Sequence, residues 1–136
     1  MRAAVLDASV FIAACSPAEI HQETARSMME SIPENRAFLV PVVFRIEVIS
    51  GFSRRGESAE FLDTVDALIT GPRFHACPLD AAVLHKSVEI ARKARTRAYD
   101  AVYAALAILR EADLLTLDAE LRKRLAEAYP AVTFGP

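Results

Sequence analysis

The chain has 136 residues, 53% of them hydrophobic and 25% charged, with 16 basic and 18 acidic side chains and a net charge of −2. That length supports a core without disulfides or a structural metal, and no apolar run approaches the ~18 residues of a membrane span. A net charge near zero argues against a general polyanion binder, but only if the charge is evenly spread, which here it is not.

The opening residues meet Asp7 after the short apolar run Ala3 to Leu6, too short for the apolar stretch of a secretory signal, so the expected location is the cytoplasm. Arg2 to Leu6 reads as a buried first strand whose C-terminal end presents the Asp7 carboxylate. Ala25, Met28, Met29 and Ile32 follow at helical spacing and Pro33 closes that helix. Phe38 to Val40 is a second strand. Pro41 opens a helix with a stripe of Val42, Val43, Ile46, Ile49 and Ser50 around Glu47, although its β-branched content also permits a strand. Ser58 caps a helix that uses Phe61, Leu62, Val65, Leu68 and Ile69 and stops at Gly71-Pro72.

Arg73 to Cys77 is a third strand. Asp80 caps a helix expected to turn Ala81, Leu84, Val88 and Ala91 inward and a basic face outward. Thr96 is a candidate cap for an Ala-rich helix over residues 98 to 112. Leu114 to Leu117 is a strand ending at Asp118, Ala119 to Ala128 a helix, and Ala131 to Phe134 a last strand. Strands that alternate with helices predict an α/β sandwich over residues 1–136, a single domain with a central, mainly parallel sheet of about five strands. In such folds the working site lies beyond the C-terminal strand ends, at the point where strand order reverses.

Cys15 and Cys77 belong to no CxxC pair or zinc-ligand cluster and read as buried thiols of a reducing compartment. His75 beside Cys77 makes no metal site, since two soft ligands do not suffice, and reads as a buried strand end; His21 and His85 read as surface residues.

Four acids interrupt apolar stretches: Asp7, Glu47, Asp100 and Asp118. Ionised carboxylates are costly to bury alone, and no basic residue stands three or four positions from Asp7 or Glu47. Either a distant Arg pairs with each, or they meet around a cation. Each also has a plain structural role open to it, since Asp7 and Asp118 can cap helices and Asp100 suits a helix N-terminus. All-oxygen ligation suits Mg²⁺ or Mn²⁺, and phosphodiester hydrolysis is the chemistry that uses such a site. Nucleophile elbow, Walker A loop, HExxH and GxGxxG are all missing, which removes the serine-hydrolase, NTPase, zinc-protease and dinucleotide readings.

Val5-Leu6-Asp7-Ala8-Ser9, Glu47, the block Tyr99 to Ala107 and the block Leu114 to Leu121 together resemble the PIN domain family, and within it the VapC-type toxin ribonucleases of toxin–antitoxin pairs. The resemblance spans nearly the whole chain and implies a three-layer α/β/α sandwich. It implies that Asp7, Glu47, Asp100 and Asp118 bind Mg²⁺ or Mn²⁺ and cleave structured RNA such as tRNA or a ribosomal loop, with Ser9 and Thr116 as polar helpers. It also implies a homodimer and a small VapB-like antitoxin that sets an Arg against the carboxylates. Asp113 is a second acid near the last block, expected in the preceding turn.

The segment from Lys86 to Arg97 is more basic than this fold requires, with Lys86, Arg92, Lys93, Arg95 and Arg97 against Glu89. Arg92, Lys93, Arg95 and Arg97 are either a solvated helix face or a phosphate track beside the acids; Arg54 and Arg55 are a weaker version of the same idea. Tyr103, one turn beyond Asp100, reads as a core residue with a satisfied hydroxyl. Two further readings are a PIN-like module that binds RNA or protein without cutting, and an acyl-phosphate protein with Asp7 as nucleophile. The second lacks its DxD acid, because position 9 is Ser.

Overall fold

The computed structural model describes residues 2–135, so Met1 and Pro136 of the expected 1–136 span lie outside the described residues. The elements run β1 (Ala4–Leu6), α1 (Ala8–Ala14), α2 (Gln22–Glu30), β2 (Phe38–Pro41), α3 (Val43–Arg54), α4 (Ala59–Ile69), β3 (Phe74–Cys77), α5 (Ala81–Ala94), α6 (Ala98–Leu109), β4 (Asp113–Leu115) and α7 (Ala119–Ala128). All strand pairs are parallel and the order is β3-β2-β1-β4, with Val5 opposite both Leu39 and Leu114. The chain steps outward from β1 to β3, then returns to the other side of β1 to lay down β4. Right-handed crossovers therefore put the helices before β3 on one face and those after it on the other, giving the expected three layers. Among the described residues no helix is long and apolar enough to cross a membrane.

Position in the sheet explains composition. β1 is flanked by strands on both sides, and its Ala4, Val5 and Leu6 are each at most 1% exposed, so an uninterrupted apolar run is what that slot accepts. On α6, every residue from Ala101 to Ala107 is buried, because the helix is packed between the sheet and α5. Its alanines let backbones approach closely on all sides. Phe11, Phe44 and Phe74 form a ring cluster with centroids 5.6–6.0 Å apart, joining α1 and α3 to the sheet. At Gly51 a Cβ would stand 2.7 Å from Ile12 Cδ1, so the α1–α3 contact requires glycine there or a shifted Ile12.

Several expectations are corrected. The sheet has four strands, because Ala131 to Phe134 forms no ladder: among the described residues its one backbone bond to β4 is Leu114 N–H to Thr133 O, at 2.9 Å. β4 begins at Asp113, which is its first residue and not a turn, and stops at Leu115. Helix α1 follows Asp7 directly where no helix was expected. Arg97, not Thr96, caps α6, and that helix ends at Leu109. On α5 the buried face is Val83, Ser87, Ile90 and Ala94, while Leu84 and Val88 are each 53% exposed. On α3 it is Phe44, Val48, Gly51 and Phe52, with Val42, Ile46 and Ser50 outward. Leu68 of α4 also faces out, His75 is exposed on edge strand β3, and Cys15 is only half-buried. His21 and His85 are exposed as expected.

Candidate functional site

Strand order reverses between β1 and β4, so the crevice that such a reversal opens lies at the C-terminal ends of these two neighbours. Asp7 leaves β1 there. Its backbone N–H continues the ladder to Leu115 O at 3.0 Å, and its side chain caps α1. Asp7 is 7% exposed, yet it is well supplied with donors: Ser9 Oγ donates to Oδ2 at 3.0 Å, Ser9 N to Oδ1 at 3.4 Å, and Thr116 Oγ1 to Oδ2 at 2.7 Å. Thr116 is fully buried and in turn accepts from the backbone N–H of Asp118 at 3.2 Å. One hydroxyl thus fixes the geometry of both strand ends. Asp118 caps α7 through Leu121 N–H at 3.0 Å, so two of the four acids are helix caps as well as neighbours in the crevice.

Glu47 enters from α3 and Asp100 from the first turn of α6. The Tyr103 hydroxyl donates to Glu47 Oε1 at 2.7 Å, bridging α6 to α3. Tyr103 is a core residue with a satisfied hydroxyl, as expected, but its partner is a site acid. Sequence reading did not reach that link; the spacing of Tyr103 three residues after Asp100 puts it near that acid but names no partner.

Burial is the main cause that raises the pKa of Asp7, Glu47 and Asp100. Mutual repulsion adds to it, from Asp118 on Asp7, from Asp7 and Asp100 on Glu47, and from Asp7 and Asp118 on Asp100. Hydrogen bonds from Thr116, Ser9 and Tyr103 oppose the rise at Asp7 and Glu47. The Tyr103 phenol is itself pushed up, by burial and by the Glu47 charge, and stays protonated. Among the described residues the cation paired with the group is Arg97, 3.3 Å from Asp100 Oδ2 and 3.7 Å from Asp118 Oδ2, with a side chain 85% exposed.

Among the described residues no three acidic, His or Cys side chains are arranged as a ready metal cage. Each carboxylate is instead turned to its own donor: Asp7 to Ser9 and Thr116, Glu47 to Tyr103, Asp118 to the α7 backbone, Asp100 to Arg97. The donor set nevertheless fits a hard divalent ion, being all oxygen and mutually repulsive, with a solvent-exposed Arg as its counter-charge.

The basic residues separate. Arg92 and Lys93 lie in the last turn of α5, Arg95 is its C-cap in the left-handed region (φ 57°), and Arg97 caps α6. Lys93, Arg95 and Arg97 line hollows beside the acids, whereas Arg92 lines neither. Arg55, at the end of α3, is held by Ser16 and Glu19.

The sequence matches the PIN domain family over residues 4–126. A comparison with curated proteins gives no match. Among solved structures the chain is similar to a toxin–antitoxin complex from Klebsiella pneumoniae, at 19% identity over 96% of either chain with a TM-score of 0.73. It is similar also to VapC20 of Mycobacterium tuberculosis, a toxin that cleaves the sarcin-ricin loop, at 15% identity over 89% of this chain and 94% of that one, TM-score 0.73. VapBC2 from Rickettsia felis, bound to a DNA fragment from its promoter, gives 15% identity over 96% of either chain and 0.69.

Proposed function

The chain belongs to the PIN domain family, and we propose that it is a Mg²⁺- or Mn²⁺-dependent endoribonuclease of the VapC toxin type. The observation that supports this reading is the electrostatic coupling of Asp7, Glu47, Asp100 and Asp118 beside the β1–β4 reversal, where Asp7 is buried and oriented by Thr116 and Ser9. Three carboxylates whose pKa burial and neighbouring acids raise, Asp7, Glu47 and Asp100, are an expensive way to build a fold and a suitable way to hold a divalent cation. When bound, Mg²⁺ or Mn²⁺ supplies Lewis acidity toward the attacked phosphate and the attacking water.

The chain's own residues supply placement. Asp7, Glu47, Asp100 and Asp118 would be the ligands. Thr116 and Ser9 keep the Asp7 carboxylate in one rotamer, and Tyr103 holds Glu47 through Oε1, leaving Oε2 for the site. Arg97 is exposed enough to swing from Asp100 and Asp118 toward a substrate phosphate.

In this reading residues 1–136 act as one nuclease domain, cytoplasmic and homodimeric. The substrate is a structured RNA, tRNA or ribosomal RNA, as the sarcin-ricin specificity of VapC20 suggests. The solved toxin–antitoxin complexes support a cognate VapB-like antitoxin, and an Arg inserted by it would neutralise the acids as Arg97 does in part.

The test is incubation of purified protein with total small RNA and Mn²⁺, beside EDTA and the D100N variant. Discrete fragments lost in both controls are expected. Mn²⁺ binding without cleavage of tRNA or rRNA would overturn the catalytic reading in favour of an RNA- or protein-binding PIN module.

A further inference from the structure

The acid cluster is open on one flank. A hollow of about 320 Å³ bounded by Asp100 and Asp118 is lined also by Arg95, Thr96, Arg97, Glu120 and Arg124. A second, of about 480 Å³, shares Arg95, Glu120 and Arg124 with the first and extends between the end of α5 and α7 to Lys93 and Lys123. Together they make a groove that begins at the carboxylates and Arg97 and runs away from them past Arg95, Arg124, Lys123 and Lys93.

The groove is built, not incidental. Arg95 adopts the left-handed conformation, which a β-carbon disfavours, and so turns its carbonyl to accept from Arg124 Nη1 at 3.2 Å. Arg124 Nε donates to Glu120 at 3.0 Å, so the guanidinium is anchored at both ends while its side chain stays 41% exposed. Lys93 Nζ sits 4.9 Å from the Tyr129 ring centroid, which steadies another cation on the same wall. In the hollow nearest the acids, Thr96 Oγ1 is buried without a hydrogen-bond partner among the described residues. A buried hydroxyl with no partner is costly, and Thr96 is one of the residues that bound this hollow.

We infer that this groove carries the backbone phosphates of the substrate RNA away from the acid site. Lys93, Arg95, Lys123 and Arg124 are the phosphate contacts, and Thr96 donates to a phosphate oxygen beside the acids. The inference rests on the nuclease reading and adds the α7 side of the track, which sequence alone did not suggest; Arg92 is left off it. Phosphate oxygens accept hydrogen bonds from every group named and carry the charge that the groove's cations complement. An acidic protein segment meets the same cations but offers nothing to be attacked where the groove ends.

The experiment measures binding of a short fluorescein-labelled single-stranded RNA and of bulk tRNA to full-length D100N protein over a series of KCl concentrations. K93A/K123A/R124A should weaken binding by about tenfold or more and lower the slope of log Kd against log salt by about 2, the loss of three single-strand phosphate contacts. R95G removes a guanidinium while relieving the backbone, so it should weaken RNA binding with no fall in Tm. Charge removal at Arg54 and Arg55 should leave affinity and slope unchanged. T96V in the otherwise wild-type chain should slow cleavage without altering the slope. A triple variant that binds with unchanged affinity and slope in the D100N background, while the wild-type chain cleaves RNA, overturns the groove alone. A wild-type chain that neither binds nor cleaves RNA overturns the nuclease reading and the groove with it.

Discussion

β4 carries an aspartate at its start and is followed by another just past its end, and the two live in opposite surroundings. Asp113 opens the strand and is neutralised where it stands, by Arg2 Nε at 3.2 Å and by the Thr133 hydroxyl. Asp118, past the other end, is coupled to Asp7 and Asp100 and has the exposed Arg97, 3.7 Å away, as counter-charge. The fold therefore does not lack ways to pair an acid: Arg45 holds Asp66 through two bonds of 2.7 and 2.8 Å. Asp113 and Asp66 each have an arginine as counter-charge, whereas the acids at the β1–β4 reversal also repel one another. That difference separates Asp113 from Asp118 more firmly than sequence position does.

The sharpest way to break the comparison is to neutralise one acid at each end. D7N should cut RNA cleavage by at least ~100-fold, since a ligand is lost from a multi-carboxylate site, while D113N should leave the rate unchanged. Equal losses in a gel-based cleavage assay would show that the two ends are not distinct. Y103F should have the next largest effect, about 10-fold on cleavage, because Tyr103 positions Glu47 and touches no substrate; its signature is a matching loss in Mn²⁺ affinity by calorimetry.

Stability gives smaller effects of opposite sign. Mn²⁺ at ~100 times its Kd should raise the stability of the wild type by about 2.7 kcal/mol, and D100N should lose most of that gain in a thermal melt. Folding raises the pKa of Asp7, Glu47 and Asp100, so the folded state holds their protons more tightly than the unfolded one. Their contribution is full below the ordinary carboxylate range and is lost as pH rises through the folded values. Metal-free D100N should therefore melt above the wild type at neutral pH. Asp66 runs the other way: Arg45 lowers its pKa, so its contribution is present at neutral pH and fades on acidification. The smallest effect is D113N, about 1 kcal/mol or less by chemical denaturation, as for a partly exposed ion pair.

The alternation of strands and helices was legible because each buried strand is a short apolar run and most helices carry caps or stops. Helix α1 was not, since Ala8 to Ala14 is almost uniformly apolar and offers no polar face to reveal a helical period. On α5 the stripe reading failed at Ser87, which is buried with its hydroxyl satisfied by Val83 O at 2.7 Å, while the more hydrophobic Leu84 and Val88 face outward. Satisfied hydroxyls make polar residues acceptable inside, and hydrophobicity alone cannot register that. The four acids stood out because each broke an apolar run without a local partner. Tyr103 could not be paired with Glu47 from sequence, because the bond spans 56 positions and joins helices from the two sides of the sheet.

The bond from Thr116 to Asp7 joins residues 109 positions apart. Asp7 is made well before the strand that completes its surroundings. Until β4 docks, β1 has an empty edge where Leu115 and Thr116 belong, and the long loop to be closed makes that pairing a late event. A chain arrested before residue 116 holds three of the four acids but not the hydroxyl that orients the first of them, nor Asp118. The topology thus acts as a timer: the Asp7 carboxylate acquires its Thr116 donor only once β4 has docked against β1.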